Sequence, residues 1–178
     1  VSTAVPRDRD ASFEDGSEIV FHPIGRIHSG HTKRDRTPIQ PVYAYGCPGV
    51  VEVYPKFEAG LADLEGFSHL FLLYHFDRAG PLKLTVKPFL QDREHGLFAT
   101  RSPSRPNAIG LSIVELIRRE GRFIHCDGLD IFDGTPLLDI KPVVSRFDSV
   151  HPTRNGWQDE VDEETARKIG IKKGEKDG

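Results

Sequence analysis

Residues 67–87 read FSHLFLLYHFDRAGPLKLTVK. The first ten, Phe67–Phe76, are an almost continuous apolar run. That length suits a strand buried on both faces. An Asp-Arg-Ala-Gly-Pro turn follows, and then Leu82–Lys87 alternates strictly between apolar and polar, the pattern of a half-buried strand. Working outward, similar short runs recur at Ile24–His28, Gly49–Tyr54, Gly96–Thr100, Ile109–Ile117, Arg122–Phe132 and Leu137–Val144. Helical patterning is confined to Phe57–Leu64 and Glu160–Ile169, neither of them placed as a crossover between parallel strands. Many short strands with Gly/Pro turns predict a mainly β protein, a compact barrel or a sandwich with short peripheral helices.

A chain of 178 residues, 37% hydrophobic, has enough apolar mass for one core. Residues 1–18 are small, polar and acidic and read as a flexible arm. Residues 19–150 carry the strand pattern, and 151–178 form a charged tail with one possible short helix that is disordered or lightly docked. No apolar stretch is long enough to span a membrane. Two cysteines, Cys47 and Cys126, make no disulfide framework, which points to a reducing compartment such as the cytoplasm. No Met is present, the initiator included, so a trimmed or processed chain is expected. The net charge is only −3, so any nucleic-acid contact must come from local basic clusters.

Motifs for Rossmann cofactors, P-loops, nucleophile elbows and Cys-x-x-Cys zinc sites are all absent. Three polar loops are longer than plain strand connections require. His31–Pro41 (HTKRDRTPIQP) gathers Lys33, Arg34 and Arg36, and the amide of Gln40 sits between Pro38 and Pro41. It is either a solvated loop or a stiffened basic loop that meets an anion, with Gln40 able to pair with a heterocycle edge. Thr100–Ser112 (TRSPSRPNAIGLS) places Arg101 and Arg105 in a Pro-interrupted stretch that cannot be helical. Its guanidinium forks either pair with nearby acids or clamp a phosphate, carboxylate or purine face. Asp130–Pro142 (DIFDGTPLLDIKP) contains an Asp-Gly-Thr-Pro turn, in which turn chemistry expects Asp133 to bond its own backbone. That turn chemistry leaves Asp139 and Lys141, inside a strand-like run, unexplained.

Eight histidines invite a metal reading. His28 and His31 share a turn, and His69 and His75 lie six apart on one predicted strand, about 20 Å from each other. Neither spacing is a zinc pattern, so no metal is expected.

The strings Pro23–Ile27 (PIGRI), Gly66–Leu73 (GFSHLFLL), Gly96–Leu111 (GLFATRSPSRPNAIGL) and Leu129–Pro142 (LDIFDGTPLLDIKP), in this order, resemble the TsaA/YaeB-type family, the TrmO-type tRNA N6-threonylcarbamoyladenosine methyltransferases. The likeness covers about residues 20–150. It implies a compact β-barrel that binds S-adenosylmethionine (SAM), acts as a homodimer with the cofactor near the interface, and methylates N6 of threonylcarbamoyladenosine at tRNA position 37. It resembles the short form of the family, without the extra C-terminal domain of longer bacterial members.

Position by position, the resemblance implies cofactor contacts from Pro38, Ile39 and Gln40, and from Asp77 and Arg78, where longer members have His-Gln. It implies further contacts from Arg101 and Leu111 and from Asp133, Gly134, Thr135, Pro136, Leu137, Leu138, Asp139 and Ile140. For the chemistry, Arg105 and Asn107 are candidates to meet the acceptor's carbamoyl group, and Asp139 to orient the cofactor. Lys33, Arg34, Arg36 and Arg105 are candidates to engage RNA or the threonyl carboxylate. Two other outcomes remain open: a SAM-dependent methyltransferase acting on a small molecule or protein, and a non-catalytic SAM-binding barrel.

Overall fold

The computed structural model describes residues 18–32, 44 and 46–161. Six antiparallel strands close into a barrel: β1 (Gly25–Ser29), β2 (Gly49–Val53), β3 (His69–His75), β6 (Ile109–Glu120), β7 (Phe123–Asp127) and β8 (Thr135–Pro142). Their order around the barrel is β1-β2-β7-β6-β3-β8, and the Gly25↔Leu137 to Ile27↔Thr135 register between β1 and β8 closes the ring. Two dipeptide strands outside the barrel, β4 (Thr85–Val86) and β5 (His95–Gly96), pair with each other.

Alternation decides which side chains enter the barrel. From β3, Leu70, Leu72 and Tyr74 point inward, and they meet Val114 and Ser112 of β6 and Leu137 of β8. Ile27, Val51, Val53, Ile124 and Cys126 complete the filling from the other half. A six-stranded barrel is too narrow for a ligand lumen, and side chains occupy its axis. Any ligand site must therefore lie at the rim or on the outer wall. The outer face of β3 is less enclosed than the continuous apolar run suggests, since Phe71 and Leu73 are half-buried and His69 and His75 exposed.

One close approach organises the barrel end that matters here. Gly110 faces inward opposite Tyr74, and the tyrosine ring occupies the space a Cβ on Gly110 would need. Tyr74 cannot swing away freely, because its hydroxyl is bonded to Ser112. Gly110→Ala is therefore expected to destabilise the protein by about 1–3 kcal/mol through overpacking, measured by chemical denaturation. An unchanged midpoint would show that the ring relocates at no cost.

Three expected strands are shorter or differently built. Leu82–Lys87 reduces to Thr85–Val86, and Gly96–Thr100 becomes a 3₁₀ turn over Leu97–Ala99. The long run Arg122–Phe132 ends as a strand at Asp127, because Gly128 takes φ +83°. The expected helix over Phe57–Leu64 appears as a 3₁₀ stretch at Pro55–Leu61. Beyond β8, a single α-helical turn, α1 (Ser145–Asp148), leads to a 3₁₀ turn at Gly156–Glu160. That turn is anchored to the β4–β5 hairpin. The Trp157 indole stacks on His95 at 4.9 Å between centroids, its N–H donates to the Ala99 carbonyl (2.8 Å), and Gln91 donates to Glu160 (3.0 Å). The arm over residues 1–17 and the expected helix beyond Val161 lie outside the described residues.

Candidate functional site at the barrel rim

Three segments meet where β3 ends. The first is the turn after β3, in which the Phe76 N–H donates to the Ala108 carbonyl (2.7 Å) and the Lys83 N–H to the Ser104 carbonyl (3.2 Å). These bonds tie the turn to the second segment, the Arg101–Asn107 loop. The third is the Asp133–Pro136 bend. Arg78 spans from the turn to this bend, donating to the Asp133 carbonyl (2.6 Å) and the Thr135 hydroxyl (3.3 Å), with its guanidinium over the Phe132 ring (5.3 Å). Gly134 turns the bend with φ +76°, and its carbonyl accepts from Arg26 (3.0 Å). The arginine-proline-asparagine loop and the Asp-Gly-Thr-Pro bend thus share one end of the barrel.

The individual candidates sort by what they touch. Asp77 ion-pairs with Arg78 (3.3 Å). Arg105 is turned back on its own loop, donating to the Thr100 carbonyl (2.8 Å) and lying over Phe98 (5.5 Å). Asn107 is exposed, and its carbonyl accepts from the Ile109 N–H (2.8 Å). The Asp133 carboxylate accepts from the Ser29 N–H (3.1 Å), with the His28 ring 3.7 Å away, so it fastens the bend to β1 rather than to its own backbone.

Asp139 and Leu111 lie on the outer wall, both beside Leu73 in the ladders. Asp139 pairs with Lys141 (2.8 Å) and accepts from the Ile140 N–H (2.9 Å). Leu111 is 57% exposed. The β3/β8 register slips between Leu73 and Tyr74, and this leaves Leu138 without a partner in the ladder. Such a bulge re-aims the side chains around it. Leu137 is buried in the barrel core and its carbonyl already accepts from Ile24 (2.8 Å), while the buried Thr135 spends its hydroxyl on Arg78 and the Phe132 carbonyl. Pro136 pairs with Arg26 and is half-buried, and Ile140 packs on the core. Pro38, Ile39, Gln40, Lys33, Arg34 and Arg36 lie outside the described residues.

Residue-type reasoning did not single out the chain of side chains beneath this rim. Ser112 donates to Asp130 (2.6 Å), which leaves its oxygen to accept from the Tyr74 hydroxyl (3.0 Å). Burial pushes the Asp130 carboxyl up to about 6, against the opposing effects of the Ser112 bond, its own backbone and the charge of Arg101. Burial, aided by the Asp130 charge, also raises Tyr74, and Arg101 again acts in the opposite direction. Arg101 is exposed and close enough for its charge to act on both groups. The one clue in the sequence was an acid set between Leu129 and Ile131, both of which prove fully or nearly fully buried. Among the described residues, no group of three or more His, Cys, Asp or Glu converges as a metal site.

Fold and site together define a small closed barrel whose polar loops gather on the rim rather than in the lumen. The chain belongs to the family of the tRNA-methyltransferase O N-terminal domain, whose model matches residues 26–149. It is 49% identical over 139 residues to a Pyrococcus abyssi protein named "Probable S-adenosyl-L-methionine-binding protein", covering 78% of this chain and 76% of that one. It is 38% identical over 138 residues to the human tRNA (adenine(37)-N6)-methyltransferase, covering 74% of this chain and 31% of the human one. A crystal structure of TrmO superposes with a TM-score of 0.68 at 39% identity, covering 79% of this chain and 64% of that one.

Proposed function

We propose that this chain is a SAM-dependent methyltransferase that acts on N6 of adenosine 37 in tRNA, with the threonylcarbamoyl-modified adenosine as acceptor. The observation that carries the reading is the junction of the Arg101–Asn107 loop, Arg78 and the Asp133–Pro136 bend at one rim, in a chain of this family.

The rim suits the cofactor chemically. SAM presents a carboxylate, an ammonium, a sulfonium and an adenine. Arg101 is the candidate fork for the carboxylate, and Arg78, which bridges Asp77 and the Asp133–Thr135 bend, adds positive charge. Asp77, Asp133 and Asp139 supply negative potential for the cationic parts, and Leu73 and Leu111 supply apolar surface for the ring. When bound, SAM supplies the methyl group: its carbon–sulfur bond breaks with the electron pair left on sulfur as a carbon–nitrogen bond forms. The protein's part is to hold acceptor and donor in line. The acceptor nitrogen is conjugated to a carbonyl and is a poor nucleophile, so a donor at the carbamoyl oxygen helps. Asn107, on the exposed loop, is the candidate for that role, and Arg105 would serve only by releasing its bond to the Thr100 carbonyl. Lys33, Arg34 and Arg36 supply local positive charge for the tRNA backbone.

The test is mass spectrometry of nucleosides from threonylcarbamoylated tRNA incubated with the protein and SAM. The expected result is a methylated threonylcarbamoyladenosine. Binding of SAM without any methylated nucleoside would reduce the chain to a SAM-binding barrel, and methylation of unmodified adenosine would remove the threonylcarbamoyl requirement.

Self-association through the outer face of β6 is part of the same reading. Ile109, Leu111, Ile113 and Ile117 form a row there, each 38–57% exposed, and Leu111 links the row to the cofactor rim. This apolar row, flanked by Phe71 and Leu73 of β3 and interrupted by the exposed Glu115, suits burial against a second copy. Ile113→Arg is expected to convert a dimer to a monomer in sedimentation experiments, and a parent that sediments as a monomer would remove the dimer. A cytoplasmic location agrees with two free cysteines, Cys126 buried and Cys47 partly so. Among the described residues, no helix is long and apolar enough to cross a membrane.

A further inference from the structure

We infer that Asp130 is the proton acceptor of the transfer, taking the N6 proton on the carboxylate oxygen not bonded to Ser112, and that Ser112 and Tyr74 are its positioning residues. The inference rests on the methyl-transfer reading above. As nitrogen gains the methyl group it must lose its hydrogen, and that proton passes to the Asp130 carboxylate and then to water.

Four carboxylates lie around the rim, and their surroundings separate them. Asp77 pairs with Arg78, Asp139 pairs with Lys141, and Asp133 is held by the Ser29 N–H beside His28. Asp130 is half-buried, and a hydroxyl chain that starts inside the barrel orients it. Each hydroxyl there has one direction of donation, Tyr74 to Ser112 to Asp130, so the chain stabilises the ionised carboxylate that must receive a proton. The ionisable groups that bear on Asp130 are Tyr74 from β3, Arg101 from the loop before β6, and Cys47 from the segment before β2, whose thiol is raised by burial and then by Asp127 and Asp130. His31 bonds to the adjacent Leu129 carbonyl (2.8 Å) and helps fix the backbone there. A carboxyl with proton affinity near neutrality is a better general base than one in its ordinary range, because it is both ionised and basic at working pH.

The test is single-turnover methyl transfer to threonylcarbamoylated tRNA from pH 5 to 9 at saturating SAM, in the parent, Asp130→Asn and Ser112→Ala. The parent rate should rise with pH and level off above about 6. Asp130→Asn should lose that rise and on the order of 100-fold or more in rate, while binding SAM, by calorimetry, within about threefold of the parent. Ser112→Ala should keep the rise but move it to higher pH, since the Ser112 bond lowers the Asp130 value. Independently of turnover, the ¹³C carboxyl resonance absent from Asp130→Asn should titrate near 6 in the free protein. An Asp130→Asn protein with the parent's rate and acid limb would overturn the assignment, as would loss of SAM binding or a carboxyl that titrates near 4. A parent that binds SAM yet transfers no methyl at any pH would sink the enzymatic reading itself, and this assignment with it.

Discussion

Asp130→Asn is expected to be more stable than the parent at pH 7.5 by about 2–3 kcal/mol, with no such gain at pH 3.5. In the folded protein the carboxyl takes up its proton near pH 6, against an ordinary value of 3.8. The folded pKa is thus raised. Between about pH 4 and 6, folded molecules hold a proton that unfolded ones have released, so stability falls as pH rises through that window. Below it both states are protonated and burial of this group carries no charge penalty. Above it both are ionised, and the folded state bears the full cost, about 3 kcal/mol at about 1.4 kcal/mol per pH unit. An asparagine has the same outline and keeps an oxygen to accept from Ser112, so the substitution removes the charge and little else. Denaturant titrations at the two pH values measure the difference. A variant less stable than the parent at both would show that Asp130 holds the barrel end together as an anion. A group that costs stability where the protein works is what a functional carboxyl looks like.

The second large effect is expected at Arg101. Its guanidinium stands in the loop that Lys83, Ser104 and Ala108 bind to the end of β3, and its charge reaches the buried carboxyl. If it holds the carboxylate of SAM, Arg101→Ala should weaken SAM binding about 10- to 100-fold, the usual worth of a hydrogen bond to a charged group. Arg101→Lys should recover part of this, because charge returns without the planar fork. The same Arg101→Ala change should push the Asp130 titration higher still, since the Arg101 charge works against the effect of burial. Calorimetry reads the first effect and carboxyl NMR the second. A variant that binds SAM as tightly as the parent would remove Arg101 from the cofactor site.

Much of this architecture is readable from patterning, because strands that line a narrow barrel must alternate. The Ile109–Ile117 run predicts β6, and the same alternation that sends Ser112 and Val114 inward leaves Leu111 and Ile113 outside. Patterning fails where pairing rather than hydrophobicity decides. Leu82–Lys87 alternates perfectly, yet Pro81 and Pro88 flank it, and its strand partner is the dipeptide His95–Gly96, so the strand shrinks to Thr85–Val86. Around the rim, the long polar motifs located the right loops. Their internal assignments depend on contacts no local reading supplies, such as Arg105 folding onto Thr100 and Arg78 reaching 55 residues ahead to Asp133. Asp130 was visible only as an acid between apolar neighbours. Its meaning depends on Ser112, 18 positions earlier, and on Tyr74, 38 before that.

Trp157 is the only tryptophan in the chain, and it rests on His95 with its N–H on Ala99, two residues before Arg101. Indole emission from this protein therefore reports on a single place. Any loosening of the Gly156–Glu160 turn from the hairpin, by acid, urea or a bound ligand, becomes a spectral shift assignable to the doorstep of the arginine loop, with no label attached.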